Sequence, residues 1–105
     1  MLKLYALVGV LAACVGMAAA GGTVVFCTDE NMQGHCVDLD YNNNDCINFG
    51  SGLNDLISSL DPEGSGHSCT LYKDYDCKGD TFGFTKHHDT LPGFNDVASS
   101  FRCTS

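Results

Sequence analysis

The chain has 105 residues, with 13 Asp or Glu against 5 Lys or Arg, a formal charge of −8, 7 cysteines and no tryptophan. That length carries one small domain and too little apolar material for two independent cores. The acidic balance disfavours nucleic acid and anionic membrane surfaces, which clustered Lys and Arg would hold, and makes cations the natural partners.

Residues 1–20 read as a secretory signal peptide. Met1-Leu2-Lys3 gives a positive start, Leu4 to Val15 is almost wholly apolar, and Ala18-Ala19-Ala20 supplies small residues for cleavage. The stretch is short and runs into Gly21-Gly22, so removal is expected rather than a membrane span. The mature chain is then 21–105, a secreted extracellular domain in which 4 basic residues face 13 acids, for a charge of −9. Cys14 leaves with the leader, although Leu11-Ala12-Ala13-Cys14 also fits a lipid-attachment box. Cys27, Cys36, Cys46, Cys69, Cys77 and Cys103 remain. An even set in a short secreted chain predicts up to three disulfides, with fifteen pairings open. Zinc is the rival use of these thiols, but no Cys-x-x-Cys pair occurs.

Downstream, no helical apolar period runs for any length, and Pro62 and Pro92 are both expected in turns. Short strands are predicted at Thr23 to Thr28, His35 to Leu39, Asp45 to Phe49, Leu56 to Leu60, Ser68 to Lys73, Thr81 to Thr85 and Val97 to Cys103. The stretches between them are rich in Gly, Asn, Asp and Ser, as at 41–44 and 61–66. This pattern predicts an all-β sandwich or barrel, with 61–66 as the boundary between two halves.

The halves repeat. Gly52-Leu53-Asn54-Asp55-Leu56-Ile57-Ser58-Ser59-Leu60 matches Gly93-Phe94-Asn95-Asp96-Val97-Ala98-Ser99-Ser100-Phe101, with identical residues at the Gly, Asn, Asp and both Ser positions. Every other position is apolar in both. Upstream, residues 26–34 align with 71–79, a strand, a polar turn and a glycine, Gly34 or Gly79. The hairpin glycines are 45 residues apart and the asparagines 41, so the second half is shorter by 4 in its middle.

Asn-Asp followed by a hydroxyl three residues after the Asp gathers an amide oxygen, a carboxylate, main-chain carbonyls and a hydroxyl in one short segment. These are hard oxygen donors of the kind that suit Ca²⁺. The competing view is turn chemistry, since Asn, Asp and Ser readily bond their own backbone neighbourhood. Two matching copies in an acidic secreted domain favour calcium.

The hairpin pattern together with the paired Asn-Asp-x-x-Ser-Ser segments resembles the βγ-crystallin Greek key motif and its calcium signature. The resemblance spans nearly all of 23–105, as motif one (about 23–61) and motif two (about 68–105). It implies a two-sheet Greek key sandwich with four strands per sheet, each motif lending one strand to the other's sheet. It also implies up to two Ca²⁺ sites, each assembled from both motifs. By position the ligands would be Asn54, Asp55, the Leu56 carbonyl and Ser58, with Asn95, Asp96, the Val97 carbonyl and Ser99. Carbonyls near Thr28 and Lys73 would complete the shells. The resemblance assigns Ser59 and Ser100 to structure, tying the folded hairpin of the other motif. Cys27 and Met32 depart from the pattern by replacing two aromatics, as does Cys77 in motif two, where Tyr72 keeps the first. Disulfides are expected to do the hairpin-fixing work of the missing rings.

No enzymatic role is expected. His87-His88 would point its rings to opposite faces of a strand, and His35 and His67 have no nucleophile pattern near them. Asp38, Asp40, Asp74 and Asp76 read as a solvated acidic face rather than a glycosidase pair. The expected function is a calcium-stabilised extracellular binding or structural module of moderate affinity, since each signature brings one Asp and one Asn. The alternative is a secreted toxin or protease inhibitor acting in microbial competition or host interaction, with exposed loops at 42–44 and 63–66.

Overall fold

The computed structural model describes residues 21–105; the predicted leader 1–20 and Cys14 lie outside the described residues. Seven strands are found among the described residues: β1 (Gly21–Asp29), β2 (Gln33–Asn42), β3 (Cys46–Asn48), β4 (Ser59–Pro62), β5 (Ser68–Asp74), β6 (Lys78–Phe84) and β7 (Ser100–Thr104). Burial alternates over parts of these strands, as a two-residue period requires. Val24 and Phe26 are buried while Val25 is only partly so, and Phe101 and Cys103 are buried around a half-buried Arg102.

The strands form two antiparallel sheets, ordered β2-β1-β4 and β3-β7-β5-β6. Motif one thus lends β3 to the sheet of motif two. The return loan is a single bridge, in which Leu60 and His88 exchange N–H to carbonyl bonds of 3.0 and 2.9 Å. The expected second four-stranded sheet is therefore three strands and this bridge. The missing length falls in the shorter middle of the second half, where Pro92 closes the segment. Pro62, expected in a turn, is the last residue of β4 and lies opposite Val24. Its missing N–H falls past the Leu60 bridge, where no further ladder bond is asked of it.

Two predicted strands begin too early. Residues 51–56 and 92–97 are turns, and the chain becomes extended only at Ser59 and Ser100. By contrast β2 runs through Tyr41 and Asn42, which the composition had assigned to a loop.

Between the sheets Phe26 meets Phe49 edge-on at 5.0 Å and Phe101 at 4.8 Å, and Phe49 stacks on Phe101 at 5.4 Å. Ile57, Leu60, Leu71, Leu91 and Ala98 complete this core from both motifs. Burying a side chain of this size contributes about 1.5–3 kcal/mol. His67, directly after the Gly-Ser stretch at 61–66, is buried. Its Nε2 donates to the Glu63 carbonyl, so its Nδ1 accepts from the Tyr41 hydroxyl.

All six described cysteines are paired, as Cys27–Cys36, Cys46–Cys77 and Cys69–Cys103. This selects one of the fifteen pairings and leaves none of these thiols for zinc. Cys27–Cys36 staples β1 to β2, and Cys69–Cys103 joins β5 to β7. Cys46–Cys77 ties β3 to the tip of the second hairpin, beside a reciprocal pair between Asn48 and Asp76. Two of the three bridges, through Cys27 and Cys77, therefore stand where aromatic rings are missing.

Candidate metal centre

The two Asn-Asp-x-x-Ser-Ser segments bind each other reciprocally. The Asp55 N–H donates to the Ala98 carbonyl and the Asp96 N–H to the Ile57 carbonyl, both at 3.0 Å. The Ser58 hydroxyl donates to Asp96 Oδ1 at 2.9 Å, and the Ser99 hydroxyl to Asp55 Oδ1 at 3.3 Å. Each motif's serine therefore meets the other motif's aspartate. The same serines fix the segments to the hairpins: the Ser58 N–H donates to the Cys27 carbonyl and the Ser99 N–H to the Tyr72 carbonyl, both at 2.9 Å. Thr28 and Lys73 are the next residues along those strands. Asp55 and Asp96 both have φ of 60°, a left-handed backbone that Asp tolerates better than most residues.

Asn54, Asp55, Lys73, Asp74, Tyr75, Asp96, Val97 and Ser99 line one open cleft of about 470 Å³. Ser58 joins them through Asp96. Leu56 is 44% exposed, and Asn95 is exposed on its turn. The acids Asp55, Asp74 and Asp96 give the cleft a negative balance against Lys73. Asn54 Oδ1 is buried without a hydrogen-bond donor. Such an orphaned acceptor is costly unless a cation or donor meets it. Among the described residues no three His, Cys, Asp or Glu side chains, those of this cleft included, are placed to hold one metal ion between them. A cation here would depend on carbonyl, amide and hydroxyl oxygens beside single carboxylates, a donor set that suits Ca²⁺ and not Zn²⁺.

Asp74 and Tyr75 were missed from sequence, where Asp74 counted only as part of an acidic face. The available signal was the alignment of the hairpins, which sets Asp74 opposite Asp29 directly after the Lys73 and Thr28 positions.

Ser59 and Ser100 are structural, but they tie their own hairpins and not those of the other motif. Ser59 donates to the Asp29 carbonyl at 2.6 Å and accepts from the Met32 N–H at 3.0 Å. Ser100 does the same with the Asp74 carbonyl and the Cys77 N–H, at 2.6 and 2.9 Å. The reason is register: β4 pairs with β1 and β7 with β5, so each serine lies beside the hairpin of its own motif. Gly34 and Gly79, at φ of 78° and 85°, close these hairpins. A Cβ on either would come within 2.6 Å of Thr28 Oγ1 or Asp74 Oδ2.

The paired histidines part company. His88 packs edge-on against Phe82 at 5.3 Å, while the exposed His87 bonds Asp89 through Nε2 and lies 3.6 Å from Asp61 through Nδ1. The hydrogen bond to Asp89 raises the His87 pKa above 6.5, slight burial opposes this, and the charges of Asp89 and Asp61 add to the rise. The stabilisation is therefore fully present below the ordinary imidazole value and is lost as pH rises through the raised one. Melting temperatures of wild type and His87→Ala should differ most on the acid side and converge above it. The gap will be small, because solvent screens both pairs. A gap that widens with rising pH would contradict the assignment.

Similar solved structures include the N-terminal domain of protein S, at 25% identity and TM-score 0.67, over 79% of this chain and 96% of that one. A βγ-crystallin domain from Flavobacterium johnsoniae matches at 27% identity and TM-score 0.67, over 78% and 93%. A domain described in connection with the evolution of the eye-lens βγ-crystallin fold matches at 26% and TM-score 0.69, over 82% and 88%. No protein-family profile and no curated protein matches the chain.

Proposed function

Because this chain belongs to the βγ-crystallin superfamily, we propose that it is a secreted calcium-binding module in which Ca²⁺ staples the two motifs together. The observation that carries this reading is the reciprocal crossing of Ser58 to Asp96 and Ser99 to Asp55. One shell would draw on Asp55, Ser99 and the Lys73 carbonyl, the other on Asp96, Ser58 and the Thr28 carbonyl. Asn54, Asn95 and the carbonyls of Leu56 and Val97 are further donors. Ca²⁺ would supply divalent charge to offset the carboxylates of Asp55 and Asp96, and Asn54, whose Oδ1 has no hydrogen-bond donor, would be one of the residues to hold it.

The protein's own residues supply the preorganisation. Ser58 and Ser99 hold the carboxylates in place, and their N–H groups anchor each loop to a hairpin. Any cation shared between the loops stabilises the native state by mass action. Three disulfides suit an oxidising compartment, and no described helix is long and apolar enough to cross a membrane.

The test is calorimetric titration of the oxidised, metal-stripped protein with Ca²⁺, followed by thermal melts. Saturable heats near two equivalents and a raised melting temperature are expected. Absence of both heat and shift would reduce the paired segments to turn chemistry and favour the toxin or inhibitor alternative.

A further inference from the structure

The disulfides are not equally accessible. Cys69 and Cys103 are buried, Cys46 and Cys77 are half-buried, and Cys36 is the exposed cysteine among the described residues. Cys36 lies on β2, at the outer edge of its sheet, while its partner Cys27 is fully buried on β1. This bridge also closes the shortest loop, a separation of 9 against 31 and 34.

The two motifs differ at this point. Where motif one sets Cys27 opposite Cys36, motif two sets Tyr72 opposite Thr81 and builds the equivalent hairpin without a covalent link. The bridge is therefore not a requirement of the hairpin itself. It does fix the last regular pair before the register shift that contains Thr28. The Cys27 carbonyl also accepts the Ser58 N–H, and the Ser58 hydroxyl in turn holds Asp96.

We propose that Cys36 is a site of thiol–disulfide exchange, and that opening Cys27–Cys36 weakens the Thr28–Ser58–Asp96 site while sparing the Lys73–Ser99–Asp55 site. The second half rests on the reading that these sites take Ca²⁺. The reactant is a dithiol reductant. One of its thiolates attacks the Cys36 sulfur, and the bond pair leaves with Cys27, which takes a proton from solvent. The second thiol then displaces Cys36 as a thiol. The protein gains two electrons and two protons, and the reductant becomes a disulfide.

Two measurements test this. In the first, native protein is titrated with dithiothreitol, and freed thiols are alkylated and mapped. Cys27 and Cys36 should be labelled before the other four, and earlier labelling of either other pair overturns the exchange. In the second, Ca²⁺ is titrated into Cys27→Ala/Cys36→Ala and into native protein reduced only at this bridge. One equivalent should weaken about tenfold, a coupling of ordinary size, with the other unchanged. Adding Asp55→Ala should then remove the tighter equivalent, and adding Asp96→Ala should leave it. Equal weakening of both sites, or of neither, overturns the coupling. An oxidised wild type that binds no Ca²⁺ overturns the proposed function and the coupling together, while the labelling order still decides the exchange.

Discussion

The double variant Asp55→Ala/Asp96→Ala is expected to bind no Ca²⁺ and to lose the calcium-dependent rise in melting temperature. Each single variant should lose one equivalent. For a site held at a hundredfold over its Kd, the lost stabilisation is about 2.7 kcal/mol. In a domain of this size each kcal/mol moves the melting temperature by about 4–8 °C. Backbone strain complicates the Ala variants, because both aspartates sit at φ of 60° and Ala there is penalised whether or not a metal binds. The pair Asp55→Gly/Asp96→Gly separates the two effects. Glycine accepts that backbone freely, so the metal-free protein should melt no lower than the Ala variant while the calcium response stays absent. A Gly variant that still binds two equivalents would remove the carboxylates from the site.

Cys46→Ala/Cys77→Ala should lower the free energy of unfolding by about 3–4 kcal/mol, the entropy of closing a loop of this length. Against a total of about 5–15 kcal/mol for a small domain this is a large share. The reciprocal Asn48–Asp76 pair would remain, with hydrogen bonds of 3.1 and 2.8 Å. The variant should still fold in the cold, with an earlier urea midpoint. Removing Asn48 as well should cost more than the two changes summed separately, since both hold β3 to the same hairpin tip. A variant as stable as wild type would show that the hydrogen bonds alone secure the junction.

The location of the candidate site was legible in the amino-acid order because the two motifs repeat. Asn54, Asp55, Ser58 and Ser99 stand out by matching position for position. Tyr75 has no identical counterpart, and Asp74 matches Asp29 only within the hairpin alignment; both line the cleft because the second hairpin folds its tip beside it. The early strand starts assigned to Leu56 and Val97 have the same cause. Their apolar side chains suit a strand, but the backbone N–H groups of Asp55 and Asp96 are spent on the facing loop. His67 follows the polar stretch at 61–66, and the partner that buries it, Tyr41, lies 26 residues away.

Local order was sufficient wherever the determining interactions are short in sequence. Strand alternation, the hairpin glycines and the doubled Asn-Asp-x-x-Ser-Ser segments are of that kind, and they settled an all-β, two-motif domain with six cysteines available for bridging. The tertiary structure decided which cysteines pair, which aspartate each serine meets and whose hairpin Ser59 and Ser100 tie. Those choices depend on strand register and on contacts between motifs, such as the 38 residues separating Ser58 from Asp96. A linear pattern carries the donor types, but only the packing of one motif against the other brings them to a common point.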